Sequence, residues 1–246
     1  MKKVWEESFK IASYHLDFQQ ELKPSVLQQY FQEAAGNHAE NLGAGYDTLM
    51  ERELFWALSR IRVEIDRMPK WGETIRIETW PVGLERLFFR RDFRMYDEQN
   101  NEIVRGASGW LLVNAKSMRP QRLSALGVEL PDNGGKTALD APLPDRISLE
   151  RAEPAFRKVI RYDEIDMNMH VNNTRYLDWV TDCFDRKHYE QNVLSAFNLE
   201  FLSEVHWGDE MEMQIDRNGT EAKVQAVETA SAKALFKADV EWRKRD

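Results

Sequence analysis

The chain spells Trp-Gly-acid twice, and each copy sits among the same kinds of segment. Trp71-Gly72-Glu73-Thr74-Ile75-Arg76-Ile77 and Trp207-Gly208-Asp209-Glu210-Met211-Glu212-Met213 both run from the tripeptide into alternating apolar residues. Each follows a strand-like stretch, 55–65 in the first half and 196–205 in the second. Aligned on the tryptophans, Glu64 falls on Glu200 and Ile65 on Phe201. A turn followed by period-two alternation is the pattern of a sheet with one buried face. Its recurrence in matching order predicts a duplicated unit.

Each half reads as a strand, a helix and then several long strands. In the first, a strand is expected over 8–14. Pro24 occupies a position that a helix's first turn tolerates, and Val26, Leu27, Tyr30, Phe31 and Ala34 follow at helical spacing. Strands are expected near 54–66, 73–81, 86–97 and 102–114, with a hairpin turn at 97–101. The second half offers strand 155–162, a helix near 173–187, and strands near 195–205, 209–217, 221–229 and 232–243. Arg217-Asn218-Gly219 marks a hairpin. Four of the eight prolines and Gly134-Gly135 fall between the halves, in 120–150, which reads as an exposed connection. The fold class expected is α+β, two tandem units over 1–130 and 151–246 with a linker at 131–150. Each is an antiparallel sheet wrapped around one long helix.

Composition limits what such a chain does. At 246 residues, 42% hydrophobic and with 8 Trp, it has ample core material. No window approaches a membrane span, and the acidic start Glu6-Glu7 follows too few apolar residues for a signal peptide. A single Cys183 excludes an intrachain disulfide and a cysteine-rich metal site, so the expected compartment is the reducing cytoplasm. The formal net charge of -8 argues against nucleic acid as the main partner.

Chemistry concentrates in Asp166-Met167-Asn168-Met169-His170-Val171-Asn172-Asn173. Read as extended backbone, Asp166, Asn168 and His170 project to one side, just before a helix whose free N–H groups can polarise a carbonyl oxygen. Aligning Leu22 with Val171 puts Asp17 on Asp166, Gln19 on Asn168 and Glu21 on His170. Only the second half has the asparagine and the histidine, so one active site per chain is expected.

The run closely resembles the signature of acyl-[acyl-carrier-protein] thioesterases, the plant plastid enzymes and their bacterial relatives. The likeness extends through Arg60-Ile61-Arg62-Val63-Glu64-Ile65, Trp71-Gly72-Glu73, Arg90-Arg91-Asp92 and Gly109-Trp110, and covers residues 8–243. It implies tandem hotdog folds, the N-terminal unit largely forming the acyl-chain pocket and the C-terminal unit carrying catalysis. It also implies a glutamate in the strand after the catalytic helix, followed in the plant enzymes by cysteine. Leu199-Glu200-Phe201-Leu202-Ser203-Glu204-Val205 matches that stretch, with Glu204 on the acid and Val205 where the cysteine would stand. A cysteine nucleophile is therefore unavailable there, and Cys183 reads as a small core residue. Activated water is the expected nucleophile. Glu204 is the candidate base, with His170 sharing its proton, Asn168 positioning water or the thioester oxygen and Asp166 orienting either. Backbone N–H groups of Val171, Asn172 and Asn173 would complete an oxyanion site.

Other residues carry weaker expectations. Tyr30, Phe31 and Trp56 are core aromatics and acyl-pocket candidates. His15, His38, His188 and His206 read as packing or surface histidines. Arg86, Arg90 and Arg94 share one strand face, either a salt-bridged surface or a dock for an acidic carrier protein and its phosphopantetheine phosphate. No cofactor and no metal are expected. The function expected is hydrolysis of acyl-carrier-protein thioesters, ending fatty-acid elongation, by a monomer or homodimer. Alternatives are an acyl-CoA thioesterase on the same fold and a non-catalytic fatty-acyl binding protein. A hydratase of this fold would carry a spacing one residue longer, Asp-x-Asn-x-x-His.

Overall fold

A computed structural model describes residues 1–245. The chain forms two compact units, 1–143 and 144–246. In the first, β1 (Trp5–Lys10), α1 (Pro24–Asn41), α2 (Tyr46–Met50), β2 (Leu54–Ile65), β3 (Thr74–Glu85), β4 (Phe88–Tyr96), β5 (Glu102–Asn114) and β6 (Arg119–Pro120) follow in turn. The antiparallel sheet runs β1-β3-β4-β5-β2, with the two-residue β6 against β5. In the second, β7 (Glu153–Val159), α3 (Arg175–Thr181), α4 (Arg186–Gln191), β8 (Asn192–Phe201), β9 (Glu210–Asn218), β10 (Glu221–Glu228) and β11 (Ala234–Lys244) build a sheet ordered β7-β9-β10-β11-β8. Element by element, the order is the same. The internal repeat is a repeat of fold.

Each helix is held by the apolar spacing that announces it. In α1, Leu27, Phe31, Ala34 and Ala35 turn to the sheet and are buried, and the Phe31 ring stacks on Phe93 at 4.6 Å. In the second unit Tyr176, Leu177, Trp179 and Val180 are buried. Tyr176 meets Phe201 and Phe236 edge-on at 5.1 and 4.9 Å. Truncating any of these aromatics to alanine costs about 3–5 kcal/mol.

The second unit departs from the single long helix expected over 173–187. The first helix stops at Thr181 because Cys183 N–H and Phe184 N–H bond back only three residues, to Val180 O and Thr181 O. Asp185 then caps a new helix, its carboxylate accepting from His188 N–H at 2.8 Å.

Most of the expected linker, 131–150, is exposed or half-buried, but part of it packs down. The compact units divide after Leu143, and Leu139 and Leu143 are buried against Ala107 and Phe88 of the first sheet. Buried charge fastens this strap. Arg90 pairs with Asp92 at 2.7 Å and Glu85 at 2.9 Å while donating to Leu139 O and Ala141 O. The same two acids accept from Ala138 N–H and Leu143 N–H, each at 2.7 Å. Among the described residues, no helix is long and apolar enough to cross a membrane.

Candidate active site

The Asp166–His170 run is a tight turn, not the extended segment expected. Ile165 and Val171 pair as an isolated antiparallel bridge. Asp166 N–H donates to His170 O at 2.9 Å, and Met169 N–H to Asp166 O at 3.0 Å. Met169 takes the left-handed conformation at φ 64° to close it. The Asp166 carboxylate accepts from Asn168 N–H at 2.9 Å, an Asx turn that holds the loop from within. Asp166 thus buttresses the turn, Asn168 stands exposed at its tip, and His170 leaves it half-buried.

The turn is tied to a distant loop by backbone. Val171 N–H donates to Val205 O at 2.8 Å, and Val205 is fully buried. This places Glu204 beside His170, with His170 Nε2 3.4 Å from Glu204 Oε2. Glu204 lies in the loop after β8, not in a strand as expected. The two side chains are 33% and 41% exposed, so the pair opens to solvent, where water can reach it.

The expected oxyanion site at the helix mouth is not built as the sequence suggested. Val171 N–H is spent on Val205, and Asn172 N–H donates to Glu164 O at 2.9 Å. The Asn172 side chain accepts from Thr174 N–H and Thr174 Oγ at 3.0 and 2.8 Å, a local turn before the helix and not its cap, which is Thr174. Helix α3 then starts at Arg175, two residues later than supposed. Of the polarising groups proposed, the Asn168 side-chain amide is the one at the open face of the turn.

Two residues escaped the sequence reading. His206, expected at a plain surface, meets His170 edge-on at 4.8 Å. Its Nδ1 lies 3.7 Å from Asp209 Oδ2. Tyr176 is buried on α3, and burial, reinforced by Asp166, Glu204 and Asp209, pushes its hydroxyl well above the usual range. It stays neutral. The repeat held a signal for it, since in that alignment Tyr176 stands against the aliphatic Leu27.

Cys183 is buried and its Sγ donates to Trp179 O at 3.4 Å. Burial pushes the thiol up to about 12, so it is no thiolate at neutral pH. Glu200 is buried and accepts from Ile147 N–H.

The first unit's candidates separate. Tyr30 is buried and its hydroxyl meets His15 Nδ1 at 2.8 Å. Phe31 packs in the core, and Trp56 donates to Ala44 O and stacks on Phe89. A cavity of about 620 Å³ is walled by Pro81, Val82, Phe89, Leu123, Val128 and Leu130. None of the three aromatic candidates lines it, although Trp56 backs it through Phe89. The arginines do not form one docking face. Arg90 is buried in the strap clasp. Arg94 pairs with Glu102 at 3.2 Å and donates to Thr137 O. Arg86 sits exposed in the β3–β4 hairpin at φ 56°, off the strand.

Family comparison agrees with this architecture. A profile described as acyl-ACP thioesterase N-terminal domain matches residues 2–125, and one described as acyl-ACP thioesterase C-terminal domain matches 150–244. The chain belongs to the acyl-ACP thioesterase family. It is 25% identical to a chloroplastic dodecanoyl-[acyl-carrier-protein] hydrolase of Cinnamomum camphora, across 98% of this chain and 68% of that protein. It is 31% identical to the Umbellularia californica enzyme of the same name, across 82% of this chain but only 56% of the relative. A crystal structure of an acyl-ACP thioesterase from Bacteroides thetaiotaomicron superimposes with a TM-score of 0.87 at 28% identity, covering 98% of both chains. Its fold is the tandem hotdog.

Proposed function

We propose that the chain hydrolyses acyl-[acyl-carrier-protein] thioesters to free fatty acid and carrier protein, with the chemistry in the second unit. The observation that carries this reading is the His170–Glu204 pair, set 3.4 Å apart beside an exposed amide. Glu204 takes a proton from water, and the hydroxide attacks the thioester carbonyl carbon. Asn168 donates to the oxygen that becomes negative. The C–S bond then breaks, and the leaving phosphopantetheine thiolate receives a proton through His170. A thiolate leaves readily, so one shared acid–base pair suffices. Asp166 is a positioning residue, acting through the turn that delivers His170 and Asn168. Cys183 takes no part.

The relatives' activities support a carrier-protein thioester as substrate, and the largely apolar cavity of the first unit, edged by Glu129 and Asp132, supports reading that unit as the acyl-chain scaffold. The lone buried cysteine supports a cytoplasmic setting. The test is thiol release from acyl-carrier-protein and acyl-CoA substrates of graded chain length. Higher kcat/KM on the carrier-protein esters is expected. Equal or greater turnover of CoA esters overturns the carrier-protein assignment, and no turnover of either overturns hydrolysis.

A further inference from the structure

The proposed catalytic pair belongs to a larger cluster. One ligand atom each of His170, Glu204 and His206 lie within 4.8 Å of one another. Two imidazoles and a carboxylate are a donor set suited to borderline transition ions, whereas magnesium and calcium call for oxygen ligands.

The geometry is close to what such an ion needs. Zinc bonds nitrogen and carboxylate oxygen at about 2.0–2.2 Å, so tetrahedral neighbours stand roughly 3.3–3.5 Å apart. His170 Nε2 and Glu204 Oε2 already do, at 3.4 Å. The third donor must close by roughly an ångström, a movement open to His206 as a half-exposed side chain.

The surroundings add a second, independent argument. His206 carries a carboxylate behind its ring, Asp209 Oδ2 being 3.7 Å from Nδ1 while also accepting from His206 N–H at 2.8 Å. At 3.7 Å this is longer than a direct hydrogen bond, but the carboxylate adds negative charge beside the cluster, which favours a bound cation. Glu204 and His206 flank the buried Val205, whose carbonyl is bonded to the turn bearing His170. The three donors therefore share one backbone frame. The other histidines are committed elsewhere: His15 to Tyr30, His38 to Arg91 and Lys2 O, and His188 against Trp242.

We propose that His170, Glu204 and His206 bind one divalent ion of the zinc class, and that the bound ion silences hydrolysis. Zinc would take the electron pairs with which Glu204 and His170 move protons, and the cluster holds no further base. The effect on hydrolysis rests on the thioesterase reading above; the binding does not.

The experiment titrates zinc into the metal-free full chain by calorimetry and assays acyl-carrier-protein thiol release in the same samples. One zinc per chain is expected. His206→Ala should weaken binding at least tenfold and make whatever turnover it retains insensitive to zinc. His206→Gln serves as a second exposed-site variant should alanine perturb the loop. Absence of saturable binding, or equal binding by both variants, overturns the site while leaving the thioesterase reading intact. Zinc bound without loss of turnover, or with a gain, overturns the silencing. A chain that binds zinc but hydrolyses nothing when metal-free keeps the site and defeats the function.

Discussion

The turns at 16–22 and 165–171 are one structure written in two chemistries. In the first, Asp17 N–H donates to Glu21 O, Gln20 N–H to Asp17 O, and Leu16 bridges Leu22. The Asp17 carboxylate accepts from Gln19 N–H at 2.8 Å, and Gln20 sits at φ 62°. Asp166, Asn168, Met169 and His170 repeat every one of these interactions. The ties outward match too, Leu22 N–H to Pro69 O and Val171 N–H to Val205 O, both 2.8 Å. Even the polar anchors correspond: His15 meets the Tyr30 hydroxyl at 2.8 Å, and Glu164 accepts from the Trp179 indole at 2.8 Å.

What differs is the set of side chains the frame presents. Glu21 stands where His170 does, and the buried Met68 stands where Glu204 does. An aspartate that does the same work in both copies is there for the turn. The histidine and glutamate, found in one copy alone, are the residues to which we assign the chemistry. The comparison therefore divides the Asp-x-Asn-x-His string into scaffold and reagent.

Breaking the comparison at its reagents should have the largest effect. His170→Ala should lower kcat/KM for acyl-carrier-protein substrates by about 10²–10⁴-fold, while Glu21→Ala stays within about twofold of the parent in the same thiol assay. Parity between them would mean that the second turn holds no chemistry.

The scaffold positions should behave alike in stability. Asp17→Ala and Asp166→Ala should each cost about 1 kcal/mol in urea unfolding, the loss of a side-chain acceptor on a backbone N–H. Only Asp166→Ala should also slow turnover, and Asp166→Asn, which keeps an acceptor oxygen, should recover most of it. Failure of Asp166→Asn to recover would give its charge a direct role.

His38 is fully buried on α1, and burial, helped by Arg91 and opposed by Lys2 O, lowers its pKa from 6.5 to about 4. The folded state therefore holds it neutral while the unfolded chain binds a proton below about 6.5. That stability is present above pH 6.5 and is lost as pH falls toward 4. His38→Gln should flatten this part of the stability–pH curve, measured by thermal unfolding. Smallest of all, Gln20→Gly and Met169→Gly relieve a left-handed residue in each turn, and each should stabilise by up to about 1 kcal/mol with turnover unchanged.

Much of this frame was legible in the residues. The repeated Trp-Gly-acid, the Asn-Gly and Asp-Glu-Gln-Asn-Asn hairpins and the helical spacing after Pro24 set the strands and their order. Those signals are local, and backbone sterics enforce them. The misreadings arise from contacts made across the fold. Ala138, Leu139 and Leu143 of the strap pack down and Arg90, which looked available for docking, is buried, because a buried ion pair has the composition of a surface one. Two of the three supposed free helix N–H groups, those of Val171 and Asn172, are taken by Val205 and Glu164. His206 escaped because its neighbour His170 comes near only through the Val171–Val205 bond.

The most direct test is turnover by the double variant His170→Ala/Glu204→Ala, with folding checked by its melting temperature. Both residues serve one water, so the loss should reach about 10²-fold or more and go little deeper than the worse single variant. Undiminished hydrolysis by the folded double variant would contradict the account.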